Sequence, residues 1–186
     1  MIEVRLLRPD DERKGFCSGS PDLDRFFVRY AGQNQFRHHI GTTYVAVEDD
    51  IIKGFVTVSS SSIEVDNLPP ASKKRFPQYP LPVIRLARLA VAESEKSRGI
   101  GLYLLRSVFY LAYEMSKKVG CIGIVVDAKP DSVDFYTRYG FEKIEVLQGV
   151  LADRPEPVSM FLPLSVISLS ISPMCHADRP VNHEAR

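Results

Sequence analysis

The chain has 186 residues, the size of one ordinary domain with a full apolar core. Hydrophobic residues make up 45% of it and charged residues 25%, which excludes collagen-like, coiled-coil and wholly disordered organisation. Lys and Arg number 24 against 23 Asp and Glu, and the resulting net charge of +1, taken as a sum, argues against a nucleic-acid partner. In chain order, Ile2, Val4 and Leu6 alternate with polar residues and predict a short strand. Ser20-Pro21 reads as an N-cap with proline at the first helical position, and a helix follows with Leu23, Phe26, Phe27 and Tyr30 on one face. Thr43–Glu48 and Ile51–Ile63 are strands joined at Asp49-Asp50, a hairpin.

Residues 67–82 hold five prolines and predict a surface loop without regular structure. Val83–Val91 is a third strand. A glycine turn leads from it into a helix over about Leu102 to Lys118, with Leu105, Val108, Phe109, Ala112 and Met115 as its apolar stripe and Gly120 as its left-handed cap. Cys121–Asp127 is a buried strand. Asp131 is placed to cap a short helix ending at Tyr139-Gly140. Residues 144–150 and 158–164 predict two last strands. In the tail, Ile167, Leu169 and Ile171 alternate with serines and suggest an extra edge strand, followed by a poorly ordered polar end. The whole is a mixed α/β domain on one central sheet, expected over residues 1–167, with 168–186 as a tail.

Residues 1–15 lack the apolar core of a signal peptide and no apolar run spans a bilayer, so the cytoplasm is the expected compartment. Cys17, Cys121 and Cys175 are far apart and in no C-x-x-C pair, so neither a disulfide framework nor a metal site is expected.

Two segments carry chemistry. In Lys96-Ser97-Arg98-Gly99-Ile100-Gly101-Leu102 a loop opens a helix, and glycines there let backbone N–H groups approach a phosphate. An ordinary loop is the plainer reading of a bare G-x-G. In Phe135-Tyr136-Thr-Arg-Tyr139-Gly140-Phe141 the aromatics read as core, while the Tyr136 phenol is a candidate proton donor.

Together the two segments resemble the GNAT N-acetyltransferase superfamily: Lys96–Gly101 aligns with its glycine signature and Phe135–Phe141 with its later Tyr-x-x-x-Gly-Phe signature. Lys96 departs from the usual Gln or Arg, and Lys129 from a common asparagine. The resemblance implies a GNAT-like fold, with a mostly antiparallel central sheet of splayed strands between helices, and acetyl transfer from acetyl-CoA to an amine without a metal. It implies that the Leu89-Ala90-Val91 backbone binds the pantetheine and acetyl carbonyl. It further implies that the amides from Arg98 to Leu102 hold the pyrophosphate, that Lys96, Ser97 and Lys129 complete the cofactor site, and that Tyr136 protonates the leaving thiolate. Glu93 and Glu95 follow the third strand and read as solvated loop carboxylates rather than as a base.

The segment from Asp22 to Gln35, Leu68-Pro-Pro70, Pro77–Pro80, Leu86–Val91 and Val126-Asp127-Ala-Lys129 resemble one branch, the GNAT toxins of bacterial toxin–antitoxin modules. That resemblance implies aminoacyl-tRNA as substrate, a ribbon-helix-helix antitoxin and a possible homodimer. A small-molecule amine or a protein N-terminus is the alternative acceptor, and a non-catalytic acetyl-CoA-binding module the alternative class. Residues 25–47 carry Arg25, Arg29 and Arg37 with no acid, and residues 71–88 carry Lys73, Lys74, Arg75, Arg85 and Arg88 with no acid. Brought together, these would form a basic rim for RNA phosphates.

Overall fold

The computed structural model describes residues 1–144 and 157–171. Its sheet has seven strands in the order β1-β2-β3-β4-β5-β7-β6, where β1 is Glu3–Leu6, β2 Thr42–Glu48, β3 Ile51–Ile63, β4 Leu81–Val91, β5 Gly123–Ala128, β6 Glu142–Lys143 and β7 Val158–Pro163. Every pairing is antiparallel except β4 with β5. The helices are α1 (Pro21–Arg29), α2 (Pro70–Lys73), α3 (Ile100–Lys118), α4 (Val133–Arg138) and α5 (Leu164–Ile171).

The alternation of each strand divides its side chains between two faces. On one face Val56, Ile84, Leu86, Ile124, Val126, Met160 and Leu162 pack beneath the α3 stripe, together with Tyr136, Phe141 and Ile167. On the opposite face two smaller clusters form. Phe26 and Phe27 of α1 pack on Val45, Val47, Phe55 and Ala90. Val65, Leu68, Leu81 and Val83 pack on Val125 and Phe161. Phe27 stacks on Phe55 at 4.3 Å between ring centroids, which fixes α1 against β3.

β4 pairs with β3 along its whole length, from Leu81 opposite Ile63 to Val91 opposite Gly54. With β5 it pairs only over Ile84–Leu86 opposite Ile124–Val126. Beyond that point β4 stays with β3 while β5 stays with β7 out to Ala128 opposite Val158, so the sheet forks. The register between β3 and β4 shifts at the same place: Thr57 faces Arg88 and Val58 faces Leu86, leaving Ala87 as an extra residue. A bulge of this kind bends its strand and increases the local twist, which turns the end of β4 away from β5.

Several expectations are corrected. Residues 67–82 are not wholly irregular, because Val65–Asn67 make a 3₁₀ turn and Pro70 opens the short α2, where its fixed φ suits the first helical position. The tail strand expected around Ile167–Ile171 is instead α5, with Ile167 buried against the α3 layer. Asp131 does not cap α4; it lies in a 3₁₀ turn over Pro130–Ser132, and Ser132 holds the cap position. Ser20 stands at the α1 cap without its side chain capping the helix, and Tyr30 is exposed. A π-turn over Gln33–Arg37 was not foreseen; Gln35 there bridges Leu7 O at 3.0 Å and the Thr43 N–H at 2.8 Å. Of the strand expected over 144–150, residues 145–150 lie outside the described residues, as do Cys175 and the end of the tail from residue 172.

Gly54 sets the seating of α3 on the sheet. A Cβ there would come within 2.9 Å of Ala90 O, 3.1 Å of Leu104 Cδ1 and 3.3 Å of Ile100 Cγ2. Gly54→Val should therefore lower stability by about 1–3 kcal/mol, through overpacking between β3, β4 and the start of α3. Urea denaturation monitored by circular dichroism reads this directly, and an unchanged midpoint would show that α3 can shift without cost.

Candidate active site

The fork brings unpaired backbone to the centre of the sheet. The Ala92 N–H donates to Lys53 O at 2.8 Å, which makes residues 53 and 92 a hydrogen-bonded pair. The antiparallel alternation then turns Ala90 toward β3, and Leu89 and Val91 toward the fork. The N–H and C=O groups of Leu89 and Val91 are thus presented to whatever enters between β4 and β5.

The glycine turn lies at the end of β4. Gly99 adopts φ +77° at the α3 N-cap, a left-handed conformation natural to glycine, and a Cβ there would meet nothing within 4 Å, so the turn is open on that side. Gly101 is closed differently: a Cβ there would lie 3.4 Å from the Phe135 ring, so α4 packs up to the turn on that side. The Leu102 N–H is already bonded to Gly99 O at 3.0 Å and the Arg98 N–H to Glu95 O at 3.4 Å. The Gly99, Ile100 and Gly101 N–H groups have no acceptor among the described residues, so they form the open donor set at the positive end of α3.

Side chains around this turn hold it rather than point from it. Arg98 binds both Glu95 and Glu48, the latter at 2.8 Å, and Glu95 also takes Lys53 at 2.8 Å. Hydrogen bonds from Lys53 and then Arg98 hold the Glu95 carboxyl below its usual range, and Arg98 does the same for Glu48. Glu95 is therefore a fixed anion rather than a base. Glu93 is exposed and 3.5 Å from exposed Lys96. Ser97 takes φ +69° on the way into the turn, and Ile100 is buried beneath it.

Tyr136 stands on α4, across the fork from β4. Its ring is buried, 6% exposed, and packs edge-on against Phe135 at 5.2 Å and Phe141 at 5.3 Å. Burial pushes its phenol above the ordinary tyrosine value. The hydroxyl has no hydrogen-bond partner among the described residues and is not fully sealed from solvent. Lys129, just past β5, donates to Ser20 Oγ at 3.1 Å, so this bond spans from the β5 side of the fork to α1 on the β4 side. That contact also explains why the Ser20 hydroxyl does not cap its helix.

The cations expected to meet RNA are distributed as follows. Arg85 and Arg88 stand on the β4 face opposite α3, between the two smaller apolar clusters; Arg85 binds Asp127 and Arg88 stacks over Phe26 at 3.8 Å. Arg25 and Arg29 are exposed on α1, Arg25 paired with Asp22 at 2.8 Å; Lys73 ends α2 and Lys74 and Arg75 follow it, between Leu68 and Phe76 of the apolar cluster on that face. Arg37 ends the π-turn that leads to His39 and Ile40, which line a pocket of about 550 Å³ on the α3 face with Tyr44, Leu111 and Met115. It is the member of the set that the fold leads away from Arg85 and Arg88. Sequence reasoning missed Glu48 and Lys53, which anchor the turn from distant strands. It also gave Asp127 no role, although that residue lies inside a motif noted above.

Among the described residues no group of three or more His, Cys, Asp or Glu is placed to hold a metal ion, and no helix is long and apolar enough to cross a membrane.

Residues 39–143 match the family model of the acetyltransferase (GNAT) domain. A relative from Mycobacterium tuberculosis (strain ATCC 25618 / H37Rv), described as a tRNA-acetylating toxin, is 31% identical over 139 residues, covering 74% of this chain and 82% of its own length. Among solved structures, AtaT complexed with acetyl-methionyl-tRNAfMet has a TM-score of 0.79 at 22% identity, covering 92% of this chain and 99% of that one. An AtaT mutant bound to the C-terminus of the antitoxin AtaR and acetyl-CoA has a TM-score of 0.73 at 20% identity, covering 92% and 99%. These two likenesses establish the shared fold.

Loss of the Tyr136 hydroxyl tests its part in the chemistry. Tyr136→Phe should keep the rise in melting temperature given by acetyl-CoA and lower kcat by about 10²-fold or more. Because burial raises this phenol, it stays protonated through neutral pH, and activity that depends on its proton is lost only as pH rises through its folded value. No alkaline limb from this residue should therefore appear at or below the ordinary tyrosine value of about 10. A limb near 10 that vanishes in Tyr136→Phe would contradict the buried phenol, and unchanged turnover would remove it from the reaction.

The chain therefore belongs to the GNAT acetyltransferase family and is an acetyl-CoA-dependent N-acetyltransferase.

Proposed function

We propose that this protein acetylates the α-amine of the amino acid carried by charged tRNA and so blocks translation, as the toxin of a toxin–antitoxin pair acting in the cytoplasm. The observation that carries this reading is the cationic face beside the fork, where Arg85 and Arg88 flank the opening and α1 and α2 contribute Arg25, Arg29, Lys73, Lys74 and Arg75. Phosphates bind such a surface through charge and counterion release, which needs no sequence-specific contact. The named activity of the Mycobacterium tuberculosis relative points the same way.

In this reading the free amides of Gly99, Ile100 and Gly101 take the pyrophosphate of acetyl-CoA, with Lys96, Ser97 and Arg98 shaping the turn. The fork-facing backbone of Leu89 and Val91 holds the pantetheine and the thioester carbonyl, and Lys129 closes the slot from the β5 side. Attack by the amine places negative charge on the carbonyl oxygen, which fixed N–H donors stabilise. Tyr136 gives its proton to the departing sulfur. An α-amine titrates near about 7.7–8.0 and lower still in an ester, so a large share is neutral and nucleophilic at working pH without a strong base.

We further infer that the chemistry resides in one domain over residues 1–167, that a ribbon-helix-helix antitoxin neutralises it, and that it acts as a homodimer. The AtaT complex with an antitoxin C-terminus supports a protein inhibitor for this fold.

Incubation with labelled acetyl-CoA and total charged tRNA should yield a labelled N-acetyl aminoacyl ester. Label found only on small-molecule amines or on proteins would overturn the reading. Replacing Lys73, Lys74 and Arg75 together with Ala should weaken tRNA binding and lower the slope of log affinity against log salt by about 2–3. An unchanged slope would remove these cations from the RNA surface.

A further inference from the structure

We propose that Asp127 receives the acceptor amine: its carboxylate accepts a hydrogen bond from the attacking nitrogen and takes the proton that this nitrogen sheds. The inference rests on acetyl transfer to a primary amine, the chemistry described above. Asp127 follows Val126, the last β5 residue paired with β4, and so stands where the fork begins. Val126 belongs to the α3 side, which turns Asp127 to the opposite face, toward Arg85 and Arg88. Its Oδ1 accepts from Ser159 Oγ at 2.8 Å and its Oδ2 from the Arg85 guanidinium. Those two contacts fix the carboxylate plane and leave a lone pair on each oxygen for a further donor. The side chain is 32% exposed, so an incoming group can reach it.

The electrostatic setting needs an explanation that phosphate binding does not supply. A carboxylate on a face flanked by acid-free cationic segments repels RNA and neutralises Arg85. The amine of an aminoacyl ester is the donor group that such an anion would attract. The other acids near the slot are otherwise engaged: Glu48 and Glu95 hold the glycine turn with Arg98 and Lys53, and Glu93 lies beside Lys96 on the loop after β4.

The step balances without a further reactant. The nitrogen lone pair forms the C–N bond to the thioester carbonyl carbon, and the C–S bond breaks. One N–H proton passes to the Asp127 carboxylate and from there to water. The sulfur takes the Tyr136 proton, and the phenol is reprotonated from water.

The test uses the full chain and two acceptors, total charged tRNA and an amino-acid methyl ester, which carries the reacting amine without RNA. Asp127→Asn should lower kcat by about 10²-fold on both acceptors. Its tRNA affinity should be equal or tighter, because Arg85 is freed for phosphate, and the acetyl-CoA-induced rise in melting temperature should persist as proof of folding. Asp127→Glu, which keeps the charge but displaces it, should recover part of kcat. If Asp127 only neutralises Arg85, Asp127→Asn will bind tRNA more tightly with kcat unchanged, and the proposal fails. If Asp127→Asn does not fold, Asp127→Glu decides: turnover equal to wild type overturns the proposal. A wild-type protein active on the ester but not on tRNA overturns the tRNA reading and leaves this one to be judged on the ester; one inactive on both acceptors overturns both.

Discussion

β4 and β5 run parallel for three residue pairs and then part, and the rest of the molecule is arranged around that separation. A strand that leaves its neighbour exposes N–H and C=O groups that would be costly if buried without partners. Here each half keeps its other neighbour: β4 remains paired to β3 as far as Val91, and β5 to β7 as far as Ala128. The open backbone is thereby confined to the fork-facing side of two strands that are otherwise held. The extra residue at Ala87 is the local device that turns β4 away, and the apolar layers above and below keep the two halves from closing again.

The glycine turn depends on the same separation. It begins where β4 ends, and its position is set by packing and charge at points remote in sequence. Gly54 on β3 allows α3 to lie close, the Phe135 ring packs beside Gly101, and Glu48 and Lys53 reach from the β2–β3 hairpin to Arg98 and Glu95. Arg98 is exposed while Glu48, Lys53 and Glu95 are part-buried, so each pair sets its Coulomb gain against some loss of solvation. Their consequence is geometric: Arg98, which lies in the glycine turn, directs its guanidinium at two carboxylates, and the open donors that remain among the described residues are the backbone amides after it. Backbone donors held this way need no reorganisation when an anion arrives.

Much of this was legible in the sequence where the signal is local. The hairpin at Asp49-Asp50, the apolar stripe of α3, the left-handed Gly120 and the buried strand before Lys129 follow from periodicity and turn chemistry, and they appear where expected. The paired signatures around Gly99 and Tyr136 pointed to the family. What was not legible depends on tertiary contact. Ile167–Ile171 alternates like a strand, yet it follows β7 directly and packs Ile167 under α3, so helix wins over pattern. Ser20 has the composition of a cap, but Lys129, distant in sequence, takes its hydroxyl. Asp127 reads as one polar residue at the end of an apolar run; its place at the branch of the sheet is a property of the β4–β5 register, which no single strand reveals.

The near-neutral net charge now has a structural meaning. Residues 1–70 sum to −3 and residues 71–186 to +4, and the carboxylates around the slot are matched to particular cations rather than spread evenly. Glu48 and Glu95 neutralise Arg98 and Lys53 at the turn, on the side where the α3 amides remain open to an anion. On the opposite face Arg85 is balanced by Asp127, while Arg88 rests on the Phe26 ring and has no acidic partner among the described residues. Burial lowers the Arg88 pKa only from a value far above neutrality, so the guanidinium stays charged. A polyanion approaching this face meets cations at the rim and one anion at the branch point, an order of charges that favours a substrate whose phosphates stop short of the fork and whose terminal amine continues into it.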